Sequence, residues 1–183
     1  ICQLLPEESA LFVGSSRPVR DIEAFAHPRS GVSVFANRGL AGIDGNISTV
    51  FGISNEFEST TAILGDLTFL HDISALANTT AGNLRIFVID NNGGGIFSTL
   101  PQAGTGNFER LFGTPHNLDL RKVIGGFGVA VKNVTSLIEL QSVATEEIKG
   151  FEVVVVNVPK REINAEQLKS VTQRVSSAVR IGI

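Results

Sequence analysis

The chain has 183 residues, a length that fits one domain with a full-sized core and does not require the alternative of two small domains. Its 18 Asp and Glu residues outnumber its 15 Lys and Arg residues, and a formal net charge of −3 argues against general nucleic-acid binding, because no sequence-wide positive field exists. Charged residues make up 18% of the chain and hydrophobic residues 43%. Together with 19 glycines, this composition indicates a well-buried α/β or β core with many tight turns.

Short β-branched or apolar runs alternate with stretches of helical spacing, which is the pattern of repeated βα units. The runs predict strands at 10–14, 32–36, 61–65, 84–90, 129–132 and 151–158. Helices are predicted at 18–25, 44–53, 68–78, 118–124, 134–147 and 164–179. Successive apolar positions within the strands indicate burial on both faces, as in a parallel sheet. We therefore predict a single three-layer α/β/α domain over residues 1–183 with a six-stranded, mostly parallel sheet.

The single cysteine, Cys2, excludes an intramolecular disulfide and a cysteine-based metal cluster, so we expect a reducing, cytoplasmic environment. No apolar run approaches the ~20 residues that span a bilayer, and the first residues lack the pattern of a signal peptide. We expect a soluble protein without a membrane span. The chain starts at Ile1 and contains no Met, Trp or Tyr, so we expect either a domain of a longer polypeptide or a sequence from which residues are missing.

Polar residues follow two consecutive predicted strands. Asp66 follows the third strand and Asn91 the fourth, with one helix between them. A right-handed crossover brings both to the carboxyl edge of the sheet, where ligands of open parallel sheets bind. A carboxylate, an amide oxygen and a loop carbonyl form the partial oxygen cage that Mg²⁺ prefers beside a phosphate. Gly65 allows close approach of the backbone, and a helix beginning near Thr68 directs free N–H groups at that phosphate.

Each motif alone has an ordinary interpretation, because Asp commonly caps helices and Asn-Gly runs commonly form turns. Their pairing on consecutive strands favours a metal and diphosphate site instead. The glycines at 93–95 give the second loop room to pass around a diphosphate.

The string Gly65-Asp66-Leu67, followed by Asn91-Asn92, resembles the signature of thiamine diphosphate enzymes, although Leu67 replaces the more common glycine and the interval is slightly short. Residues 37–39, 42–45, 70–72 and 91–98 are similar to the 2-succinyl-5-enolpyruvyl-6-hydroxy-3-cyclohexene-1-carboxylate synthases of menaquinone biosynthesis. The similarity covers most of the chain. It corresponds to the C-terminal, diphosphate-binding domain of those longer enzymes.

The resemblance implies that this domain binds thiamine diphosphate together with Mg²⁺ or Mn²⁺. The implied metal ligands are the side chains of Asp66 and Asn91 and the backbone carbonyl of Gly93. Ile43 is implied to support the bent cofactor from below, its alternative being a plain core residue. The other implied cofactor contacts are Gly65, Leu67 and Ile96.

The resemblance further implies a carboligase that decarboxylates 2-oxoglutarate and adds the succinyl unit to isochorismate. Both substrates are dianions, and a guanidinium can hold a carboxylate through two hydrogen bonds. The implied substrate-binding residues are Ser16, Arg20, Arg38, Phe97 and Leu100. The alternative for each arginine is a solvated surface cation, and for the two apolar residues it is a place in a helix core. Arg17, in the same segment as Arg20, is expected to be an ordinary surface residue.

Enzymes of the resembled family carry the glutamate that activates the cofactor on a separate pyrimidine-binding domain, which this chain lacks. We therefore expect no catalytic residue in this chain and no activity from it alone. The implied partner is the pyrimidine-binding domain of a neighbouring subunit, in a homodimer or homotetramer. Two alternatives stay open: an acetolactate synthase-like or other 2-oxoacid decarboxylase, which keeps the metal site but not necessarily the arginines, and a non-catalytic diphosphate-binding domain.

Overall fold

The computed structural model describes residues 1–37, 39–78 and 81–181. Six strands form one sheet: β1 (Ser9–Val13), β2 (Val32–Phe35), β3 (Thr60–Gly65), β4 (Leu84–Asp90), β5 (Ala130–Val134) and β6 (Phe151–Asn157). Their order across the sheet is β2-β1-β3-β4-β6-β5, and every neighbouring pair is parallel. The predicted six-stranded sheet is confirmed, and all of its strands are parallel.

Helices connect and flank the strands: α1 (Arg17–Phe25), α2 (Asn46–Ser54), α3 (Asp66–His71), α4 (Leu120–Gly125), α5 (Leu137–Thr145) and α6 (Arg161–Ile181). Short 3₁₀ segments lie at Cys2–Leu4, Ile73–Ala77 and Gly95–Thr99, and a π-helical turn lies at Glu109–Gly113. Among the residues described, no helix combines the length and apolar character needed to cross a membrane.

The predicted helix at 68–78 is wrong in its extent. The α-helix starts at Asp66, immediately after β3, and ends at His71. Asp72 then has φ −105° and ψ 16°, and the chain continues as a 3₁₀ segment. The apolar spacing from Leu70 onward predicts helix, but spacing alone does not separate an α-helix from a tighter 3₁₀ segment.

The chain divides into two compact units. The first comprises Ile1–Asp90 and Leu118–Val158 and contains the whole sheet with α1 to α5. The second comprises Asn91–Asn117 and the segment that begins at Pro159 and contains α6. The prediction that the chain is a single domain stays a prediction.

Side chains of the strands alternate between two apolar faces, which gives the three layers predicted from the sequence. On one face, the strands pack against α2, α3 and α4 and contribute Phe12, Ala62, Leu64, Ile86, Val88, Val153 and Val155. On the other face, Leu11, Val13 and Ile63 pack with side chains of α1. Phe87, Val154 and Val156 pack there with side chains of α5.

The winding of the sheet reverses between β1 and β3. These strands are neighbours, yet the chain leaves β1 towards β2 on one side and continues to β3 on the other. The loops that follow β1 and β3 therefore diverge, and a crevice opens at the carboxyl ends of these strands, where ligands bind in such sheets. The segments that follow these two strands are Gly14–Ser16 after β1 and Gly65–Asp66 after β3, and they are candidates for ligand binding.

Candidate functional site

Asp66 lies at the carboxyl end of β3 as the first residue of α3 and is only 2% exposed. Its Oδ1 accepts a hydrogen bond from the backbone N–H of Leu67 at 2.7 Å. Burial of a carboxylate is costly unless it is hydrogen-bonded, paired or bound to a cation. Asp66 thus lies at the carboxyl edge of the sheet, as predicted from the sequence, and its role as a metal ligand stays a prediction.

Asp90, the last residue of β4, lies beside Asp66. The register of β3 and β4 runs from Thr60↔Leu84 to Gly65↔Ile89, so both acids lie one residue beyond the last pair. One carboxylate oxygen of Asp66 and one of Asp90 lie within 4.8 Å of each other. A bound cation relieves the repulsion between carboxylates at this separation. Sequence patterns do not single out Asp90, and the signal that could have found it is the register of the two strands.

The amide of Asn91, which follows Asp90 in the chain, has an oxygen atom that is free to accept a further contact. Its Oδ1 is buried and accepts no hydrogen bond within the described part of the chain. A buried amide oxygen without a partner carries a desolvation cost, which coordination to a metal would remove. A Cβ added to Gly95 would collide with Nδ2 of this asparagine, so the glycine is needed for the side-chain position.

Gly93 has φ +130°, a conformation that favours glycine, and a Cβ there would collide with the carbonyl oxygen of Gly113. Its own carbonyl accepts a hydrogen bond from Gly95 N–H at 2.9 Å. A carbonyl oxygen has two lone pairs, so this bond alone does not prevent coordination to a metal. Glycine is therefore required here by close packing of the loop within its own unit, and the predicted room for a diphosphate stays a prediction.

Gly65 differs from these glycines. A Cβ added there would meet no atom within 4 Å, and its φ of −75° suits any residue. Nothing in the described protein therefore requires a glycine at this position. Open space above a backbone at the start of a helix is what the close approach of a phosphate needs. Next along the chain, Leu67 is half-buried.

Ile43 lies in the loop that leads into α2, and 36% of it is exposed. The alternative of a plain core residue is therefore wrong. An exposed branched apolar side chain is available for contact with a ligand or partner. The loop around it is ordered by Asn46, which is fully buried and whose Nδ2 donates to the carbonyl of Asp44 at 3.1 Å.

Of the predicted substrate-binding residues, Ser16 and Arg20 lie together. Ser16 has φ 75°, unusual for a residue with a side chain, and its carbonyl accepts a hydrogen bond from Arg20 Nη1 at 2.7 Å. Arg20 is exposed on α1. Arg38 lies outside the described residues.

Arg17, interpreted from sequence as a surface residue, is the more buried arginine of α1. Only 18% of its side chain is exposed, it pairs with Asp21, and its Nε is buried without a partner among the described residues. Burial raises the pKa of Asp21, and the charge of Arg17 and its hydrogen bond oppose that change. Arg17 therefore contributes to the structure of α1.

The predicted apolar contacts lie in the second unit, on and just after the 3₁₀ segment Gly95–Thr99. Ile96 and Phe97 are half-buried, and Leu100 is 37% exposed. The ring of Phe97 packs against that of Phe112, with centroids 5.6 Å apart. These residues do not form the core of a regular α-helix, and each keeps some exposed surface.

The amino-acid sequence around these strands and loops matches a known protein family. Residues 21–158 match the family described as thiamine pyrophosphate enzyme, C-terminal TPP binding domain. The chain belongs to this family. It contains the TPP-binding domain, as the resemblance implies.

Three curated relatives of this TPP-binding domain share the name 2-succinyl-5-enolpyruvyl-6-hydroxy-3-cyclohexene-1-carboxylate synthase. The protein from Thermobifida fusca is 38% identical over 184 residues, which cover 96% of this chain and 33% of that protein. The protein from Corynebacterium glutamicum is 36% identical over 193 residues, covering 94% and 35%. The protein from a Nostoc species is 42% identical over 145 residues, covering 77% and 25%. The chain thus spans about a third of the length of the relatives it matches.

The donor atoms of the TPP-binding domain suit a hard divalent cation. Carboxylate, amide and carbonyl oxygens are the ligands of Mg²⁺ and Mn²⁺, whereas sulfur and imidazole suit softer metals. The orphaned amide oxygen of Asn91 and the buried carboxylate of Asp66 are individually consistent with such an ion. The open space at Gly65 is consistent with a diphosphate.

Proposed function

We propose that this chain is the diphosphate- and metal-binding domain of a cytoplasmic, thiamine diphosphate- and Mg²⁺-dependent carboligase. The enzyme would decarboxylate 2-oxoglutarate and add the succinyl unit to isochorismate in menaquinone biosynthesis. The observation that carries this proposal is the buried Asp66 at the carboxyl end of β3, in a chain 38% identical to a protein named as the corresponding synthase.

Asp66 and Asn91 are proposed to bind the metal through their side chains, and Gly93 through its carbonyl. Mn²⁺ takes the same oxygen ligands, so either ion can serve. Asp90 adds negative charge within 4.8 Å of Asp66. Gly65 provides the open backbone position that a diphosphate oxygen could approach, and Leu67 and Ile96 complete the proposed cofactor contacts.

When bound, thiamine diphosphate supplies an electron sink for the bond broken as a 2-oxoacid loses CO₂. The residues of this chain bind and orient the cofactor and the substrates. Ile43 offers an exposed apolar side chain for the cofactor to rest on. The metal ligands fix the diphosphate end, and therefore the position of the reacting end relative to the substrate.

Ser16, Arg20 and Arg38 are proposed to hold the carboxylates of the two substrates. Arg20 is exposed and is already anchored through its hydrogen bond to the Ser16 carbonyl, which limits the conformations it must give up on binding. Phe97 and Leu100 are proposed to provide an apolar surface near the reacting carbon. Their partial exposure supports this role.

The remaining machinery is proposed to lie outside this chain. A pyrimidine-binding domain of a neighbouring subunit would supply the activating glutamate, in a homodimer or homotetramer. Exposed apolar side chains of the first unit support a covering partner: Val34 is 64% exposed and Leu40 is 92% exposed. The chain alone is expected to be inactive.

The test uses the full-length protein with thiamine diphosphate and Mg²⁺. Release of CO₂ is followed from 2-oxoglutarate and from pyruvate, each with and without isochorismate. We expect isochorismate-dependent turnover of 2-oxoglutarate that is lost in Asp66→Ala and reduced about 10- to 100-fold in Arg38→Ala. Turnover of pyruvate instead would favour an acetolactate synthase-like or other 2-oxoacid decarboxylase. Absence of turnover with both would favour a non-catalytic diphosphate-binding domain.

A further inference from the structure

The N-terminus of α2 has no cap of its own. The residue before the helix is Gly45, in a left-handed conformation with φ 63°, and no side chain at that position caps the helix. Instead, Oδ2 of Asp72 accepts hydrogen bonds from the backbone N–H groups of Ile47 at 2.7 Å and Ser48 at 3.1 Å. The carboxylate thus satisfies two free donors of the helix and lies at the positive end of its dipole.

A second contact joins the same two segments. Nδ1 of His71 lies 3.3 Å from Oδ1 of Asp44, the residue before Gly45. Both side chains are substantially exposed, so this contact alone is weak. Together, the last residue of α3 and the residue that follows it hold the entry to α2 at two points.

Hydrogen bonds within the loop that leads into α2 hold the loop in a fixed position relative to the start of the helix. The buried Asn46 donates from Nδ2 to the Asp44 carbonyl at 3.1 Å, and Thr49 Oγ1 donates to the Gly45 carbonyl at 2.7 Å. Ile43 is bonded directly to Asp44. A displacement of the α2 entry therefore displaces Ile43 as well.

Asp72 is also linked to Asp66, through helix α3. The helix α3 consists of Asp66–His71, and Phe69 in its middle is fully buried in the core. Because this helix is short and well packed, its first and last residues keep a fixed position relative to each other. Asp72 is consequently tied to the Gly65–Asp66 turn through α3 and to the Ile43 loop through α2.

We propose that Asp72 is a positioning residue that fixes the Ile43 loop relative to the Gly65–Asp66 turn. This inference rests on the proposed function, in which the turn holds the diphosphate end of the cofactor and Ile43 supports its rings. The two loops belong to different βα units, and a ligand that contacts both binds well only if their separation is set in advance. The other described side-chain caps are local: Asp119 caps α4 and Ser136 caps α5, each from the adjacent position.

The test compares two ligands in the full-length protein, each with Mg²⁺, by titration calorimetry. Binding of thiamine diphosphate depends on the Ile43 loop as well as on the turn and the metal ligands, whereas binding of inorganic diphosphate depends on the turn and the metal ligands and not on the Ile43 loop. Asp72→Ala should weaken binding of thiamine diphosphate about tenfold or more, because it removes two hydrogen bonds to a charged acceptor, and should leave the affinity for inorganic diphosphate unchanged. Ser136→Ala, which removes a cap on α5, should change neither affinity.

Asp72→Asn is the conservative variant and carries the test if Asp72→Ala does not fold. It keeps an oxygen acceptor but loses the charge, so its affinity for thiamine diphosphate should lie between those of the wild type and Asp72→Ala. The inference is overturned if the Asp72 variants lose affinity for both ligands equally, or if they bind thiamine diphosphate as the wild type does. A wild-type protein that does not bind thiamine diphosphate would overturn the proposed function first, and this inference with it.

Discussion

Arg85 and Glu152 are paired across β4 and β6, with Nε of the arginine 2.6 Å from Oε1 of the glutamate. Arg85 is only 2% exposed, and its Nη1 also donates to the Glu146 carbonyl at 3.0 Å. Lys132 on β5 completes the cluster, with Nζ 2.9 Å from Glu152 and 2.6 Å from Glu146. The cluster lies near the amino ends of the strands, so it stabilises the sheet at the edge opposite the candidate site.

Removal of Glu152 should destabilise the sheet without affecting the site. Glu152→Ala leaves the Arg85 guanidinium buried without its partner, at a cost of about 3 kcal/mol. Hydrogen exchange of β4 and β6 amides in the full-length protein measures this loss as a lower free energy of opening. The matched control is Glu147→Ala, because Glu147 pairs with Lys149 at the surface, where ion pairs contribute little. Equal protection in the two variants would contradict the prediction.

The same cluster should make stability depend on pH. Burial of Glu152 opposes its ionisation, but the hydrogen bonds and charges of Lys132 and Arg85 outweigh burial and lower the pKa of Glu152 below 4.5. A lowered pKa in the folded state gives stability that is present above the ordinary pKa and lost as the pH falls through the folded value. Wild-type β4 and β6 should therefore lose protection in acid, whereas Glu152→Gln should lose less over the same pH range.

The pKa of Lys132 shifts in the opposite direction from that of Glu152. Its hydrogen bond to Glu146, helped by Glu152 and opposed by burial, raises the pKa of Lys132 above 10.5. The stability it contributes is complete below the ordinary pKa and is lost as the pH rises through the folded value. In the same hydrogen-exchange experiment, Lys132→Met should reduce the loss of β4 and β6 protection at alkaline pH. It should leave the loss of protection at acid pH that is due to Arg85 and Glu152. An unchanged loss of protection at alkaline pH would show that the lysine contributes no pH-dependent stability.

Asp90 should affect the affinity for the cation. Asp90→Asn removes a negative charge within 4.8 Å of Asp66, so Mg²⁺ affinity in the presence of thiamine diphosphate should fall about tenfold. Titration of metal-free full-length protein with Mg²⁺ measures this change. Glu58→Gln, which removes an exposed carboxylate at the other edge of the sheet, is the control. A variant that binds Mg²⁺ more tightly would show that the second carboxylate only repels its neighbour.

Gly65 and Gly95 should respond differently to alanine. Gly65→Ala meets no protein atom, so the fold should be unaffected while the affinity for thiamine diphosphate falls about tenfold through contact with the diphosphate. Gly95→Ala collides with the side chain of Asn91 and should disturb the second unit itself. Thermal unfolding without ligand, followed by binding titration, separates the two. Unchanged cofactor affinity in Gly65→Ala would remove this glycine from the proposed site.

Most of the fold was predictable because it is encoded in short runs of sequence. The apolar run at 84–90 coincides with β4, and each of the other predicted strands overlaps an observed one within two residues at either end. Asp66 was predictable for the same reason, as the polar residue that follows a buried strand. By contrast, the break after His71 depends on Asp72, whose carboxylate is used by a distant helix.

The parts of the site that sequence did not reveal depend on pairing between separate segments. The proximity of Asp90 to Asp66 follows from the register of two strands, which no local pattern specifies. The burial of Arg17 likewise follows from packing of α1, since spacing alone gives an amphipathic helix without saying how far an arginine is covered. Local chemistry therefore identified the residue types, and tertiary packing determined their neighbours.

The strand order has a consequence for the synthesis of the protein. β4 is hydrogen-bonded to β6, although Arg85 and its partner Glu152 are 67 positions apart in the chain. Until β6 emerges from the ribosome, one edge of β4 has no neighbour, and its residues 84–88 are all buried in the finished domain. At roughly 5–20 residues per second this interval lasts several seconds. An apolar strand with an open edge pairs readily with other chains, so the nascent domain is exposed to aggregation through β4 during this interval of translation.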